Sequence, residues 1–294
     1  MSDFKRRTHS FCYLLLLKSL ARLLPTATAI NIQTRFKIRG FGQFCEIMTD
    51  TSEDTSKVQW PRIFLFGDSL TQHAFLEDGC WGALLAASFE RKCDIVSRGF
   101  SGYNTRMCKY VLPRLFDKDD VPSTVAFVLW LGANDAAPAQ DLGRQHVPLS
   151  EYVDNLDEML QYLKGCGLKS KSIILLTPPP FDEEKWAQKC REKGRPESRR
   201  ESQVLAMYTD ACVCLGGRHN VTVVNLYSEM LREKDWKDML CDGLHLAKSG
   251  GAKVASLLLP HLQRLTANAP TLFPDWKEID RDHPEKSLLN WKPH

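Results

Sequence analysis

The residue best placed for chemistry is a serine that directly follows a short apolar run. The run Ile63–Phe66 is followed by Gly67, Asp68 and Ser69. Four consecutive apolar residues predict a strand buried on both faces, and Gly67 permits a sharp exit that presents Ser69 at the carboxyl edge of a sheet. A serine hydroxyl is unreactive at neutral pH, so catalysis would require a base, a group that orients the base, and donors for an oxyanion.

A base and its orienting group are available together near the end of the chain. Asp242 precedes His245 by three residues in a glycine-containing loop. An aspartate at this spacing can accept a hydrogen bond from Nδ1, which leaves Nε2 free to take the proton of Ser69. Taken alone, the pair is more typical of a capping aspartate beside a structural histidine, and only the companion motifs favour the catalytic interpretation. His73 is the rival base, but a helix leaving Ser69 would carry it away, which favours a packing role.

Two further segments offer donors for an oxyanion. Arg98–Tyr103 contains Gly102, whose backbone N–H could face a substrate, and Leu131–Asp135 places the Asn134 amide after a strongly apolar run. Each also has a structural explanation, because glycine and asparagine are common in turns and caps. Asp68 and Asp135 are interpreted as groups that hold the serine and asparagine loops in shape.

Apolar runs alternate with amphipathic stretches from Pro61 onward, the pattern of repeated strand–helix units with a parallel sheet. One predicted helix places Trp81, Leu84, Leu85 and Phe89 on a single face, and another begins behind a Ser150 cap and ends at Gly165. The five predicted strands are Ile63–Phe66, Asp94–Arg98, Val125–Leu131, Ile173–Thr177 and Val221–Leu226.

The chain divides into three predicted regions. Residues 1–58 form an N-terminal extension, predicted to be disordered or a targeting segment, residues 59–266 form the catalytic domain, and residues 267–294 form a tail that packs on the domain or on a partner. Within the domain, Phe181–Arg200 is a charged insertion with Trp186 as its obvious anchor. A solvated loop is the expected structure there, with a lid over the site as the alternative.

The net charge of +3 hides an uneven distribution. Residues 1–45 carry a net +7, so the remainder carries −4, and no basic face suited to nucleic acid is expected. The apolar run Phe11–Leu17 is too short to span a membrane. Scattered cysteines without C-x-x-C pairs favour free thiols and a cytoplasmic catalytic body, while the basic extension leaves mitochondrial targeting open.

These motifs resemble those of the SGNH or GDSL hydrolases. Gly-Asp-Ser-Leu, Ser-Gly, Gly-x-Asn-Asp and Asp-x-x-His follow one another across residues 61–265. Phe-Gly-Asp-Ser-Leu-Thr, Trp-Gly-Ala-Leu-Leu and Gly-Ala-Asn-Asp-Ala are similar to the isoamyl acetate-hydrolysing esterase group. The resemblance implies a flavodoxin-like three-layer α/β/α sandwich. It also implies Ser69 as nucleophile, His245 as base, Asp242 as its partner, and an oxyanion hole of the Ser69 and Gly102 N–H groups with the Asn134 side chain.

Other site types fit the sequence less well. Thr71 stands where the nucleophile elbow G-x-S-x-G requires glycine, and no Gly-Lys-Ser/Thr follows to make a P-loop. Asp68, Asp135, Asp242 and His245 could be imagined as metal ligands of a phosphoesterase, but no D-x-H or H-x-H cluster accompanies them. A non-catalytic acyl-binding module would not need the whole set of catalytic residue types.

The sequence therefore predicts a carboxylic ester hydrolase that acts through an acyl-serine intermediate, with neither metal nor cofactor. Its expected partner is a small-molecule ester, and a homodimer is left open. The resemblance favours acetyl or short-chain esters. A lysophospholipase, a thioesterase and a carbohydrate deacetylase on the same scaffold are the alternatives.

Overall fold

A five-stranded, wholly parallel sheet organises the part of the chain that the structure describes. The structure is a computed structural model that describes residues 57–140, 144–194, 200–289 and 291–292. The strand order is β2-β1-β3-β4-β5, which confirms the predicted flavodoxin-like α/β/α sandwich. The strands are β1 Arg62–Gly67, β2 Asp94–Gly99, β3 Thr124–Trp130, β4 Ile173–Leu176 and β5 Thr222–Val224.

Helices cover both faces of this sheet and link its strands. Several single turns of 3₁₀-helix, among them His73–Phe75, complete the connections. The α-helices are α1 Ser69–Gln72, α2 Trp81–Ser88, α3 Thr105–Val111, α4 Leu149–Gly165, α5 Glu183–Glu192, α6 Ser202–His219, α7 Leu226–Leu231, α8 Lys248–Leu265 and α9 Pro284–Leu288.

Alternate residues of the strands feed two separate hydrophobic cores. Phe64 of β1 stacks on Phe127 of β3, with ring centroids 5.0 Å apart, in the core that α3, α4 and α6 cover. Leu65 and Val128 point to the opposite core, beneath α2, α7 and α8. Because both faces are covered, these strands consist of continuous apolar runs, which is why the sequence revealed them.

Three details of the predicted elements were wrong. Leu84 is 40% exposed, so the buried side of α2 is narrower than predicted and rests on Trp81 and Leu85. The residue at the N-cap of α4 is Pro148, and Ser150 lies inside the helix. Leu226 is the first residue of α7 and does not extend β5, because the Asn225 side chain accepts a hydrogen bond from the Ser228 N–H and starts a helix there.

The predicted solvated loop after Pro180 contains a regular helix. The Asp182 side chain caps α5 by accepting hydrogen bonds from the N–H groups of Glu184 and Lys185. Its flanking residues Phe181 and Arg200 are buried. The charges read as loop residues therefore lie on a helix, and its residue Cys190 is buried.

The C-terminal tail makes specific contacts with the domain. Leu272 is 3% exposed, and its N–H donates to the Arg91 carbonyl. The Arg91 guanidinium donates in turn to the carbonyls of Leu272 and Pro274 at 3.1 and 2.9 Å. Phe273 stacks on Trp291, whereas Trp276 is 62% exposed.

The predictions about residues 1–56 lie outside the described residues. Within the described ranges, no helix has the length and apolarity needed to cross a bilayer. The eight cysteines in those ranges are free thiols, as predicted.

Candidate active site

Ser69 is the first residue of α1 and lies two residues after the end of β1 at Gly67. The Asp68 side chain caps this helix by accepting a hydrogen bond from the Leu70 N–H at 2.9 Å. A Cβ atom on Gly99, at the end of β2, would lie 1.9 Å from the Gln72 nitrogen, so only glycine lets α1 pack this closely on the sheet edge. The Ser69 side chain is thus held at the crevice where ligands bind in this strand order.

The Asp242–His245 segment is a tight loop closed by backbone hydrogen bonds. The Cys241 N–H donates to the His245 carbonyl, and Leu240 pairs with Leu246 as an isolated antiparallel bridge. Asp242 Oδ1 accepts hydrogen bonds from the N–H groups of Leu244 and His245, at 3.0 and 2.8 Å. The backbone of the loop therefore holds the Asp242 carboxylate in place, independently of its hydrogen bond with the His245 imidazole.

Ser69, His245 and Asp242 form a continuous hydrogen-bonded chain. Asp242 Oδ2 lies 2.8 Å from His245 Nδ1, and His245 Nε2 lies 3.1 Å from Ser69 Oγ. These partners assign the proton to Nδ1, so that Nε2 accepts from the serine hydroxyl. Burial acts to raise the pKa of Asp242, but the hydrogen bond and charge of His245, together with the two backbone donors, lower it to about 2. Asp242 is therefore ionised at neutral pH.

Gly102 and Asn134 lie in loops that hydrogen-bond each other at the same sheet edge. Gly102 has φ +81° in a turn closed by a 3.0 Å hydrogen bond from the Tyr103 N–H to the Phe100 carbonyl. Asn134 is buried, and its Nδ2 donates to the Tyr103 carbonyl at 2.8 Å. An amide nitrogen carries two hydrogens, so this bond fixes the Asn134 side chain and leaves one donor for a ligand.

Two buried aspartates support these loops. Burial, with a smaller contribution from the charge of Asp135, raises the pKa of Asp68 to about 7, against the opposing hydrogen bond from Leu70. Burial likewise raises the pKa of Asp135 to about 6, although the O–H and N–H of Thr105 both donate to its Oδ1. As predicted, Asp68 and Asp135 hold the loops of Ser69 and Asn134. Within the described ranges, neither side chain is hydrogen-bonded to His245.

A cavity of about 290 Å³ opens beside the His245 imidazole. His73 lines it and faces His245 with ring centroids 5.4 Å apart, so the prediction that α1 would carry His73 away from the site was wrong. Burial, and then the charge of His245, lower the pKa of His73. The other lining residues include Leu76, Asp78, Lys193, Asp242 and Leu246.

The comparisons with known proteins identify the family. A family model described as GDSL-like Lipase/Acylhydrolase matches residues 63–258. The chain belongs to this family. It is an ester-hydrolysing serine hydrolase, as the motifs predicted.

The relatives and the solved structures agree with this assignment. The chain is 42% identical over 241 residues to an isoamyl acetate-hydrolyzing esterase 1 homolog of Bos taurus, covering 81% of this chain and 96% of that protein. It is 38% identical over 237 residues to a GDSL esterase/lipase of Arabidopsis thaliana, covering 78% of this chain and 97% of that one. A lipase/acylhydrolase structure from Enterococcus faecalis covers 69% of this chain and 96% of its own, at 23% identity and a TM-score of 0.53, and so shares the fold.

Sequence reasoning missed two residues that the fold brings to this site. The Trp186 ring lies 6.2 Å from the His245 ring, on α5, and the buried Arg200 guanidinium donates to the Ala133 carbonyl, next to Asn134. The only available signal was composition, since a tryptophan in a charged stretch usually packs on something. No group of residues within the described ranges has the geometry to hold a metal ion.

Proposed function

We propose that this GDSL hydrolase cleaves small carboxylic esters through an acyl-Ser69 intermediate, with His245 as base and Asp242 as its orienting partner. The observation that carries the proposal is the continuous hydrogen-bonded chain from Asp242 through His245 to Ser69 Oγ. Ser69 attacks the ester carbonyl as His245 takes its proton, and His245 then protonates the departing alcohol. Water repeats the sequence and frees the acid.

The oxyanion would be held by three donors: the backbone N–H groups of Ser69 and Gly102, and the Asn134 side chain. Support comes from Ser69 standing at the first position of a helix, where N–H groups lack intrahelical partners. It also comes from the Tyr103 carbonyl, which fixes one Asn134 N–H and leaves the other available. Such donors act in the transition state, when negative charge develops on the carbonyl oxygen.

Short acyl groups are the proposed substrates. The cavity lined by His73, Asp242 and His245 is about 290 Å³, just below the usual range for small-molecule sites, which leaves little room beside the base for a long chain. Several relatives are named isoamyl acetate-hydrolyzing esterase 1 homolog, a name that refers to an acetate ester. Rates on p-nitrophenyl acetate, butyrate and palmitate would test this, and a preference for palmitate or for a thioester would instead support the lysophospholipase or thioesterase alternative.

The test of the mechanism is Ser69→Ala. Because the three side chains act as a unit, the turnover number on p-nitrophenyl acetate should fall about a millionfold. A fluorophosphonate probe should label the wild type and leave the variant unlabelled. Full wild-type activity after EDTA treatment is also expected. Unchanged activity of the folded variant would reject Ser69 as the nucleophile, and a wild-type chain that neither hydrolyses the ester nor reacts with the probe would favour the acyl-binding module.

The division at residues 58 and 266 and the homodimer also stay predictions. A chain lacking residues 1–58 should keep the esterase activity if residues 59–294 suffice. Sedimentation of the full chain would reveal self-association. Trp276 would be the first residue to substitute in testing the interface, because its side chain is exposed. Cytoplasmic or mitochondrial residence would be decided by the location of the full chain in cells.

A further inference from the structure

The segment that follows Pro180 contacts both halves of the active centre. At its start, the Asp182 N–H donates to the Gly243 carbonyl at 2.8 Å, inside the Asp242–His245 loop. A Cβ atom on Gly243 would lie 2.6 Å from the Trp186 nitrogen, which shows how closely α5 packs on that loop. At its end, Arg200 reaches the loop that carries Asn134. Residues on either side of positions 195–199 thus contact the base loop and the loop of a proposed oxyanion donor.

Arg200 is the residue through which this segment touches the oxyanion side. Its side chain is 5% exposed, and Nη1 donates to the Ala133 carbonyl, in the peptide unit that joins Ala133 to Asn134. Nη2 donates to Gln145 Oε1 at 3.4 Å, and Gln145 Nε2 donates to the Gly102 carbonyl at 3.0 Å. Two short hydrogen-bonded paths therefore run from one guanidinium to both loops that supply oxyanion donors.

Burying the positive charge of Arg200 costs free energy, which specific contacts must offset. A buried guanidinium needs fixed acceptors to offset its lost hydration. Arg200 also lies over the Trp186 ring, with 5.9 Å from its central carbon to the ring centroid, and the Trp186 ring lies 6.2 Å from His245. The planar fork of arginine can use two acceptors and one aromatic face together, which lysine cannot do.

We propose that Arg200 is a positioning residue of this esterase, which fixes the Ala133–Asn134 peptide directly and the Gly102 turn through Gln145. The proposal rests on the proposed function, because it assigns Arg200 to the same oxyanion donors. In this proposal Arg200 acts on the loops that carry the donors and not on the ester itself. Its effect is on the geometry of the donors, and a displacement of about 1 Å there can cost about a hundredfold in rate.

The test compares Arg200→Lys and Arg200→Met with the matched control Arg232→Met, an exposed arginine that pairs with Glu229 on α7. On p-nitrophenyl acetate, Arg200→Met should lower kcat about a hundredfold and Arg200→Lys about tenfold, with KM within about threefold of wild type. The Arg232 variant should retain wild-type kcat. Circular dichroism and thermal unfolding identify folded variants. If Arg200→Met does not fold, Arg200→Lys carries the test.

A double variant separates positioning from general damage. If Arg200 acts through Asn134, adding Arg200→Lys to Asn134→Ala should lower kcat by less than about threefold beyond Asn134→Ala alone. Multiplied losses would overturn the direct path through the Ala133–Asn134 peptide, and wild-type kcat in both Arg200 variants would overturn the whole inference. Wild-type kcat in Asn134→Ala would instead reject the proposed oxyanion hole, and active Ser69→Ala would reject the whole mechanism, so the failures are distinguishable.

Discussion

The strand-end loops and the Asp242–His245 loop hold their aspartates in opposite ways. Asp68 and Asp135, after β1 and β3, are almost completely buried, and burial raises the pKa of each. Asp242 keeps some solvent contact and accepts two backbone hydrogen bonds and one from His245, so its pKa is lowered to about 2. The same residue type is thus a structural support in one region and a permanent charge in the other. Complete burial sets the pKa of Asp68 and Asp135, whereas partial burial and the hydrogen bond and charge of His245 set that of Asp242.

The largest effect is expected for Asp242→Asn, which tests the charge held by the Asp242–His245 loop. The amide can donate to His245 Nδ1 and so favour the tautomer that carries its proton on Nε2, where it cannot accept from Ser69. The turnover number on p-nitrophenyl acetate should fall about ten-thousandfold near neutral pH. Retained turnover in a folded variant would show that the charge of Asp242 is not required.

On the strand-end side, Asn134→Ala should have the next largest effect. It removes the amide donor while leaving the hydrogen-bonded chain of Ser69 and His245 intact. We expect kcat to fall about a hundred- to a thousandfold with little change in KM, because the donor acts on the charge of the transition state. A change confined to KM would place Asn134 in substrate binding instead.

Asp68→Asn tests the effect of burial on a strand-end aspartate, and the quantity measured is the free energy of unfolding. In the unfolded chain Asp68 loses its proton near its ordinary pKa of 3.8, whereas the folded protein keeps the proton until about pH 7. The stability that the protonated form contributes is therefore complete below about pH 4 and is lost as the pH rises toward about 7, with a slope of at most about 1.4 kcal/mol per pH unit.

Asparagine can still cap α1 but cannot ionise, so Asp68→Asn should gain free energy of unfolding relative to wild type over that interval. Urea unfolding of both proteins at about pH 4 and about pH 7 measures the difference. Asp242 has the opposite sign, since its contribution is present above about pH 4 and is lost as the pH falls through about 2. A constant difference between Asp68→Asn and wild type would contradict the burial argument.

The smallest expected effect is that of His73→Phe. His73 faces His245 and Asp242 across the cavity, which Asp78 and Lys193 also line. With its pKa lowered, His73 is neutral near pH 7, and kcat/KM there should change by less than about threefold. At acid pH a protonated His73 opposes the charge of His245, so the variant should differ more from wild type. Identical pH–rate profiles would show that the two rings are not coupled.

The sequence by itself determined the sheet, the motif loops and the family. Strands buried on both faces must be continuous apolar runs, and a residue that follows such a run in a parallel sheet must lie at its carboxyl edge. Ser69 and Asn134 could therefore be placed at one sheet edge from local sequence, whereas Asp242 was singled out by its spacing from His245 together with the companion motifs. The 3.1 Å contact between Ser69 and His245 joins residues separated by 176 positions.

Only the tertiary structure decided which distant groups complete the site. Arg200 and Trp186 lie in a stretch whose charges suggested a solvated loop, and their partners Ala133 and His245 are remote in sequence. His73 was misplaced because α1 ends at Gln72, and the following 3₁₀ turn directs its ring toward His245. Local patterns report which face of an element is buried, whereas contacts between side chains depend on how helices and loops from separate parts of the chain pack together.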